Sequence, residues 1–468
     1  MAQWANFPID KELFRNVDET LLSDATARLE NAYMNAAEGQ TRFPGRKPFV
    51  SGLGGTRTYL SDWRGNLIAT TDTGRCFRID KDGTATDVTG TPISGDGRHI
   101  FAKTENELVI AAGGLPIRLG RNQTEVLSQD APKTSHVGFV DGYLVAIEPF
   151  SGRFRYSRPG QYRTWDPLDT LTAEGKPDNL NSLAVTPYRE LLLAGEDSVE
   201  QFERLSGGST AFFRRWTTGE GIFAPYTLLA IDNGTYGINV LREFVRFSQQ
   251  VTRPQSEEIV FVFERVDDWT EAWATQLHIE GQKFIVLQIP HAENIYGTQG
   301  ITALFDYKNQ RWSNLYDFDE DQGLPTRWAP WSYHPLWGRH FVGVAGGVEE
   351  LDPEIYDNSG ETQRMLVRSG HVSQWGPSRI DNFRIRLRRG VGPQKPDPKA
   401  QIGFRVNKDN QGFGRWKFKS MGRPGMRDMV IELGPLGCAE TWQVEYFVTD
   451  PVAVELVGAQ AYVERLGW

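Results

Sequence analysis

The sequence predicts an all-β chain: a β-propeller of about six to seven blades followed by a C-terminal β-sandwich domain. Three observations predict it. One phrase, a short apolar run, a tight turn and a second run of alternating side chains, recurs through most of the chain. Anchored on Leu67, Leu108, Leu144, Leu191, Tyr236, Phe284 and Phe341, its copies stand 36 to 57 residues apart. Past Asp352 the phrase disappears while strand-like runs continue. A unit of that length holds several strands yet cannot bury both faces of its own sheet, so neighbours must stack and the ring must close. Two consecutive β-sandwiches are the alternative arrangement.

The phrase is clearest between Tyr188 and Ser248. Leu191, Leu192 and Leu193 form the continuous apolar run of a strand buried on both faces. After Gly195, Val199 and Phe202 stand among Glu200, Gln201 and Glu203, as in a half-solvated neighbour. The plan repeats from Tyr236 to Leu241, then with Phe244, Val245 and Phe247 among Arg242, Glu243 and Arg246. Asp-Gly and Asn-Gly pairs between the runs supply the positive φ of hairpin turns. The partition is residues 1–50 as an N-terminal arm, 51–361 as the propeller and 362–468 as the sandwich.

In the arm, Leu21 to Asn35 contains good helix formers with Asp24 as a cap, although Leu29 and Tyr33 also suit an extended strand. The arm ends at the Pro44-Gly45 turn, and folds on the propeller rim or reaches a neighbouring molecule. Two stretches break the propeller rhythm. Phe150 to Asn181 is a long polar excursion with Trp165 and Pro167, expected as a loop on the rim. In Arg253 to Leu277, IVFVF reads as a strand, and VDDWTEAWATQL as a short helix with a core-facing stripe of Trp269, Trp273 and Leu277. The Trp-rich segment from Arg327 to His340 reads as a packed loop closing the last blade or as a subunit contact. In the sandwich, Phe383, Ile385 and Leu387 alternate with Arg384, Arg386 and Arg388, giving an apolar inner and a charged outer face. GVGPQKPDPKAQ then reads as a projecting hairpin loop.

Composition narrows the function. The charge balance of −9 leaves no basic surplus with which to grip DNA by its phosphates. The two cysteines, Cys76 and Cys438, fall in different expected domains and read as reduced thiols. No apolar run reaches the ~18 residues of a membrane span, and the opening residues lack the order of a secretory signal, so no membrane insertion is expected. No Walker loop, dinucleotide fingerprint, GxSxG elbow or HExxH is present. The reading is therefore of a non-enzyme, with no catalytic, cofactor-binding or metal residue assigned and no cofactor. His334 and His340 are the one close histidine pair, and DFDEDQG gathers Asp317, Asp319, Glu320 and Asp321 without the spacing of a calcium loop.

Several segments together resemble one family, the packaged-DNA stabilisation or tail hub (nozzle) proteins of short-tailed bacteriophages. They are Phe14-Arg15-Asn16, Asn31 to Tyr33, and Phe43-Pro44-Gly45. Next come Ser198, Glu200 and Phe202 in LLLAGEDSVEQFERLSG, then Gly221-Ile222-Phe223-Ala224-Pro225-Tyr226. EAWATQLHIEGQKFIVLQIP and the closing Gly458-Ala459-Gln460 complete the set. The similarity runs in the same order over nearly the whole chain. It favours a strand over a helix for Ala27 to Asn35. The 150–181 excursion and the Trp-rich 327–340 segment have no counterpart in it.

The resemblance implies a structural virion protein of the tail, made in the host bacterial cytoplasm. Six copies would form a ring below the portal and its adaptor. That ring would extend the DNA channel, help retain the packaged genome, and carry the tail needle, tip, spikes or fibres. Genomic double-stranded DNA would pass through the lumen without sequence-specific binding, with DFDEDQG among the segments expected to face it. The alternative is a glycan-binding or glycan-hydrolysing propeller.

Overall fold

The computed structural model describes residues 2–8, 28–35, 37, 39–173, 175–205, 211–232, 234–248, 251–256, 259–389, 400–422 and 428–466. Seven four-stranded antiparallel units follow one another, spanning 58–87, 100–126, 137–172, 182–217, 229–254, 273–314 and 332–352, the last completed by Gly45–Ser51. They are the blades of a propeller, numbered 1 to 7 in that order. The first strands of blades 2 to 7 touch in succession, and that of blade 7 touches that of blade 1. Every sequence anchor lies in the second strand of its blade.

Those second strands are apolar throughout because each face meets a different neighbour. In blade 2, Leu108 and Ile110 pack with Ile68 and Cys76 of blade 1. The alternate residues Val109 and Ala111 pack with Val137, Leu144 and Ala146 of blade 3. Period-2 alternation thus sorts side chains between two cores rather than between core and water.

The ring is closed by the beginning of the chain. Gly45–Ser51 runs antiparallel to Gly347–Asp352 as the outer strand of blade 7. Gly45 has no room for a side chain: a Cβ there would stand 2.1 Å from the carbonyl oxygen of Asp357. Arg46 follows with its guanidinium buried, forking onto both oxygens of Asp317 (3.0 and 2.7 Å) and onto Glu349 (2.8 Å).

The sandwich core gathers Phe383, Ile385, Phe404, Trp442, Val444 and Tyr446 between two sheets. One sheet holds Val454–Arg465, Ser378–Arg389 and Met429–Gly434, with Gln3–Phe7, Ala32–Met34 and Gln40–Arg42. The other is continuous with blade 6. The blade's outer strand Arg311–Asn314 is bordered in parallel by Arg28–Glu30, which leads on to Met365–Arg368, Trp442–Val448, Gln401–Lys408 and Lys417–Ser420. Asn31, at φ 48°, sits on this seam. Its amide nitrogen donates to the carbonyls of Tyr316 and Arg364 (both 2.9 Å), and its oxygen accepts from the Tyr316 amide (2.9 Å).

Several expectations are corrected. The described part of the first fifty residues is no separate arm, being woven into the sandwich and blade 7. Arg28–Glu30 and Ala32–Met34 are strands, while Asp24 and the Phe14-Arg15-Asn16 segment lie outside the described residues. The 150–181 excursion supplies the third and fourth strands of blade 3, and its Trp165 is core. The helix and strand of the 253–277 stretch are exchanged: Val260–Phe263 is a helical turn and Trp273–Ile279 a strand. Trp273 and Leu277 are four apart, which suits period 2 as well as a helix. The turn at Glu280 (φ 49°) and Gly281 (φ 78°) then pairs this strand with Gln282–Glu293. The Trp-rich segment is not a loop, since Ser332–Leu336 and Arg339–Val344 are the two inner strands of blade 7. Among the described residues no helix is long and apolar enough to cross a membrane.

Candidate functional site at the channel mouth

In a ring of blades, the residue entering each innermost strand faces the same end of the axis. Here those entry positions bring Arg57, Arg98, His136, Tyr226, Glu271 and Trp331 together from six blades. Arg98 lies over Trp273, its Cζ 4.2 Å from the ring centroid, and 5.2 Å from that of Tyr59. It donates to the carbonyl of Trp331 at 2.6 Å. Arg57 and Arg327 both stack on the Trp331 ring, at 4.8 and 4.2 Å.

Gln288, fully buried in the second strand of blade 6, fixes the positions of these groups. Its side-chain oxygen accepts from both Trp273 Nε1 (2.9 Å) and Arg327 Nη1 (2.8 Å), while its nitrogen donates to the carbonyls of Trp328 and Pro330. Glu271 pairs with Arg57 and, at 3.0 Å, with His291 Nε2. Tyr226 stacks on His136 with centroids 5.1 Å apart.

Burial pushes His136 down to about 4, and burial with the Arg98 charge does the same for His99, so both imidazoles are neutral at pH 7. Burial also pulls Arg98 and Arg327 down to about 10, which leaves them charged. Three guanidiniums thus meet Glu271 here, with the Asp317 charge acting on Arg327, in a chain whose net charge is −9. Its partly exposed groups are mostly hydrogen-bond donors and aromatic faces, an arrangement suited to holding an anion.

Of the residues singled out in the sequence, Trp273, Arg327 and Trp331 belong to this site. Arg57, Arg98, Tyr226 and Glu271 were not singled out as functional. Their signal is positional, because each stands just before an innermost strand. The DFDEDQG cluster is elsewhere. Asp317 is buried against Arg46 and accepts from Asn358 (2.9 Å), so it is not free to face a lumen. Asp319 closes its own turn, and Glu320 accepts from Thr362 at 2.6 Å. Arg384, Arg386 and Arg388 do lie outside the sandwich, bonded to Gln460, Asp428 and Glu455. Cys76 is buried, which pushes its thiol up to about 12, and Cys438 is exposed; both are free. Among the described residues no three metal-ligating side chains cluster.

His334 and His340 part company. His340 bonds Tyr333 (2.7 Å), whereas His334 bonds Asp62 (2.6 Å) toward the other end of the channel. The His334 hydrogen bond, and after it Lys103, hold the Asp62 carboxyl well below the usual range against the opposing effect of burial. A depressed carboxylate stabilises the fold above its unfolded value of about 4 and loses that contribution as pH falls below it. Asp62→Asn is therefore expected to be less stable than the parent at about pH 5, with the gap narrowing toward about pH 3. Urea titrations at both pH values check this, and an unchanged gap would remove the assignment.

No family model and no curated protein match the chain. Solved structures similar to it include BamB from Moraxella catarrhalis, with 10% identity and a TM-score of 0.36, over 62% of this chain and 92% of that one. The WD40 β-propeller domain of Doa1 aligns with 12% identity and a TM-score of 0.41, over 66% and 97%. Streptogramin B lyase aligns with 9% identity and a TM-score of 0.39, over 66% and 97%. Their differing activities carry no argument about this chain.

Proposed function

We propose that this chain is a structural tail protein of a short-tailed bacteriophage, a hub or nozzle subunit. Copies of it form a ring below the portal and adaptor, prolong the DNA channel and mount the distal tail parts. The observation that carries the reading is the weld between its two bodies. One nine-stranded sheet runs from blade 6 into the sandwich through the Glu30–Asn314 pair, a join suited to a rigid wall segment. Two segments resembling the hub family sit on or beside that weld. Asn31 stitches the seam, and Gly45 opens the strand that closes the ring. Rigid subunits that meet through heterologous contacts close into cyclic rings. The net charge of −9 suits a wall past which DNA slides without being held.

Electron cryomicroscopy of the purified protein, alone and mixed with a portal–adaptor complex from its phage, tests the reading. The expected result is a ring with a central bore seated below the adaptor. A monomer that ignores the connector would sink the role and turn attention to glycan binding.

A further inference from the structure

We propose that the mouth of the propeller channel is a binding site for a small oxyanion, a carboxylate or phosphate group, held by Arg98 and Arg327. The inference rests on the local geometry alone and does not require the ring.

Among the described residues neither arginine has a carboxylate partner. Arg98 donates to one backbone carbonyl and otherwise lies against Trp273 and Tyr59. Arg327 donates to the Gln288 side chain and, at 3.3 Å, to the Ala329 carbonyl. Arg46, by contrast, is forked onto Asp317 and Glu349 and Arg368 onto Glu445, while the fully buried Arg42 spends its N–H groups on Gln363 and the carbonyls of Asp450 and Val452. Both residues are partly exposed as whole side chains.

Enclosing these charges costs free energy that Glu271 and Asp317 offset only in part, and burial, aided by the Arg57 charge, pulls both arginines below their ordinary value. The aromatic faces of Trp273 and Trp331 and the buried Gln288 hold the two forks in place before any ligand binds, so little ordering is required on binding. Glu271 engages Arg57 at the edge of the site and, together with the Asp317 charge that acts on Arg327, competes with a ligand for positive charge.

The test is calorimetric titration of the full-length protein with inorganic phosphate, citrate and glucuronate at matched ionic strength. Saturable one-site binding is expected, with Kd between about 1 µM and 1 mM. Arg327→Gln and Arg98→Gln should each weaken it about tenfold or more, as expected for losing a charge-assisted hydrogen bond. Glu271→Gln should instead tighten it severalfold, an effect that a purely structural role for the arginines does not produce. Arg386→Gln, on the sandwich surface, should change nothing.

Should Arg98→Gln fail to fold, Arg327→Gln and Glu271→Gln keep the opposed pair of effects. Preference for phosphate assigns a phosphoryl group, and preference for glucuronate an acidic sugar. Absence of saturable heat at about 10 mM of all three probes overturns the proposal, given that useful sites saturate below that. So does binding that Arg327→Gln and Glu271→Gln leave unaltered.

Discussion

Arg46→Ala is expected to destabilise the protein by about 3–5 kcal/mol, the cost of stripping a buried charge of its partner. Arg46 is the second residue of the ring-closing strand, and its side chain and that of Asp317 are 4% and 10% exposed. The guanidinium ties that strand to Glu349 in the same blade and to Asp317 in the hairpin between blades 6 and 7. Asn358 and the Ala329 amide also bond Asp317, so the variant leaves its carboxylate enclosed by neutral donors alone. Asp317→Asn should cost less, because an amide keeps some of those bonds without the charge. The double variant Arg46→Met/Asp317→Leu should recover much of the loss, since apolar replacement of a whole buried pair is often neutral. Urea denaturation followed by tryptophan fluorescence measures all three. A loss below about 1 kcal/mol for Arg46→Ala would mean the pair behaves as a surface salt bridge.

The second large effect belongs to the sandwich. Glu445, on strand Trp442–Val448, is fully enclosed and holds two arginines, Arg368 at 2.7 Å and Arg405 on its other oxygen. Both guanidiniums lie over the Phe413 ring, 4.8 and 4.7 Å from its centroid. Glu445→Ala removes the one carboxylate between them and is expected to cost about 3–5 kcal/mol, with Glu445→Gln milder because its oxygen still accepts. The decisive readout is the number of transitions. Blade 6 and the sandwich share a sheet, and Asn31 bonds both sides of the seam, so Arg46→Ala and Glu445→Ala should each shift one common unfolding transition. Two separable transitions, each moved by one variant, would show the bodies to be thermodynamically independent and weaken the rigid-wall argument.

The sequence by itself determined the all-β class and the position of every blade. A second strand packed between two neighbours must be apolar on both faces, so Leu108–Ala111 and Leu191–Ala194 mark themselves. It also determined the alternation of FRIRLRR, because one face of that strand meets a core and the other water. Tertiary structure alone decided the rest. Trp273 and Leu277 fit a helix and a strand equally well, and a hairpin partner settled the matter. That Gly45–Ser51 completes a blade begun by Ser332–Leu336 is a pairing across some three hundred residues, which no local period encodes. The mouth has the same origin. Arg57, Arg98, Glu271, Arg327 and Trp331 follow no common motif, and only closure of the ring, which carries the starts of the inner strands and the hairpin ending at Arg327 to one end of the axis, makes them neighbours.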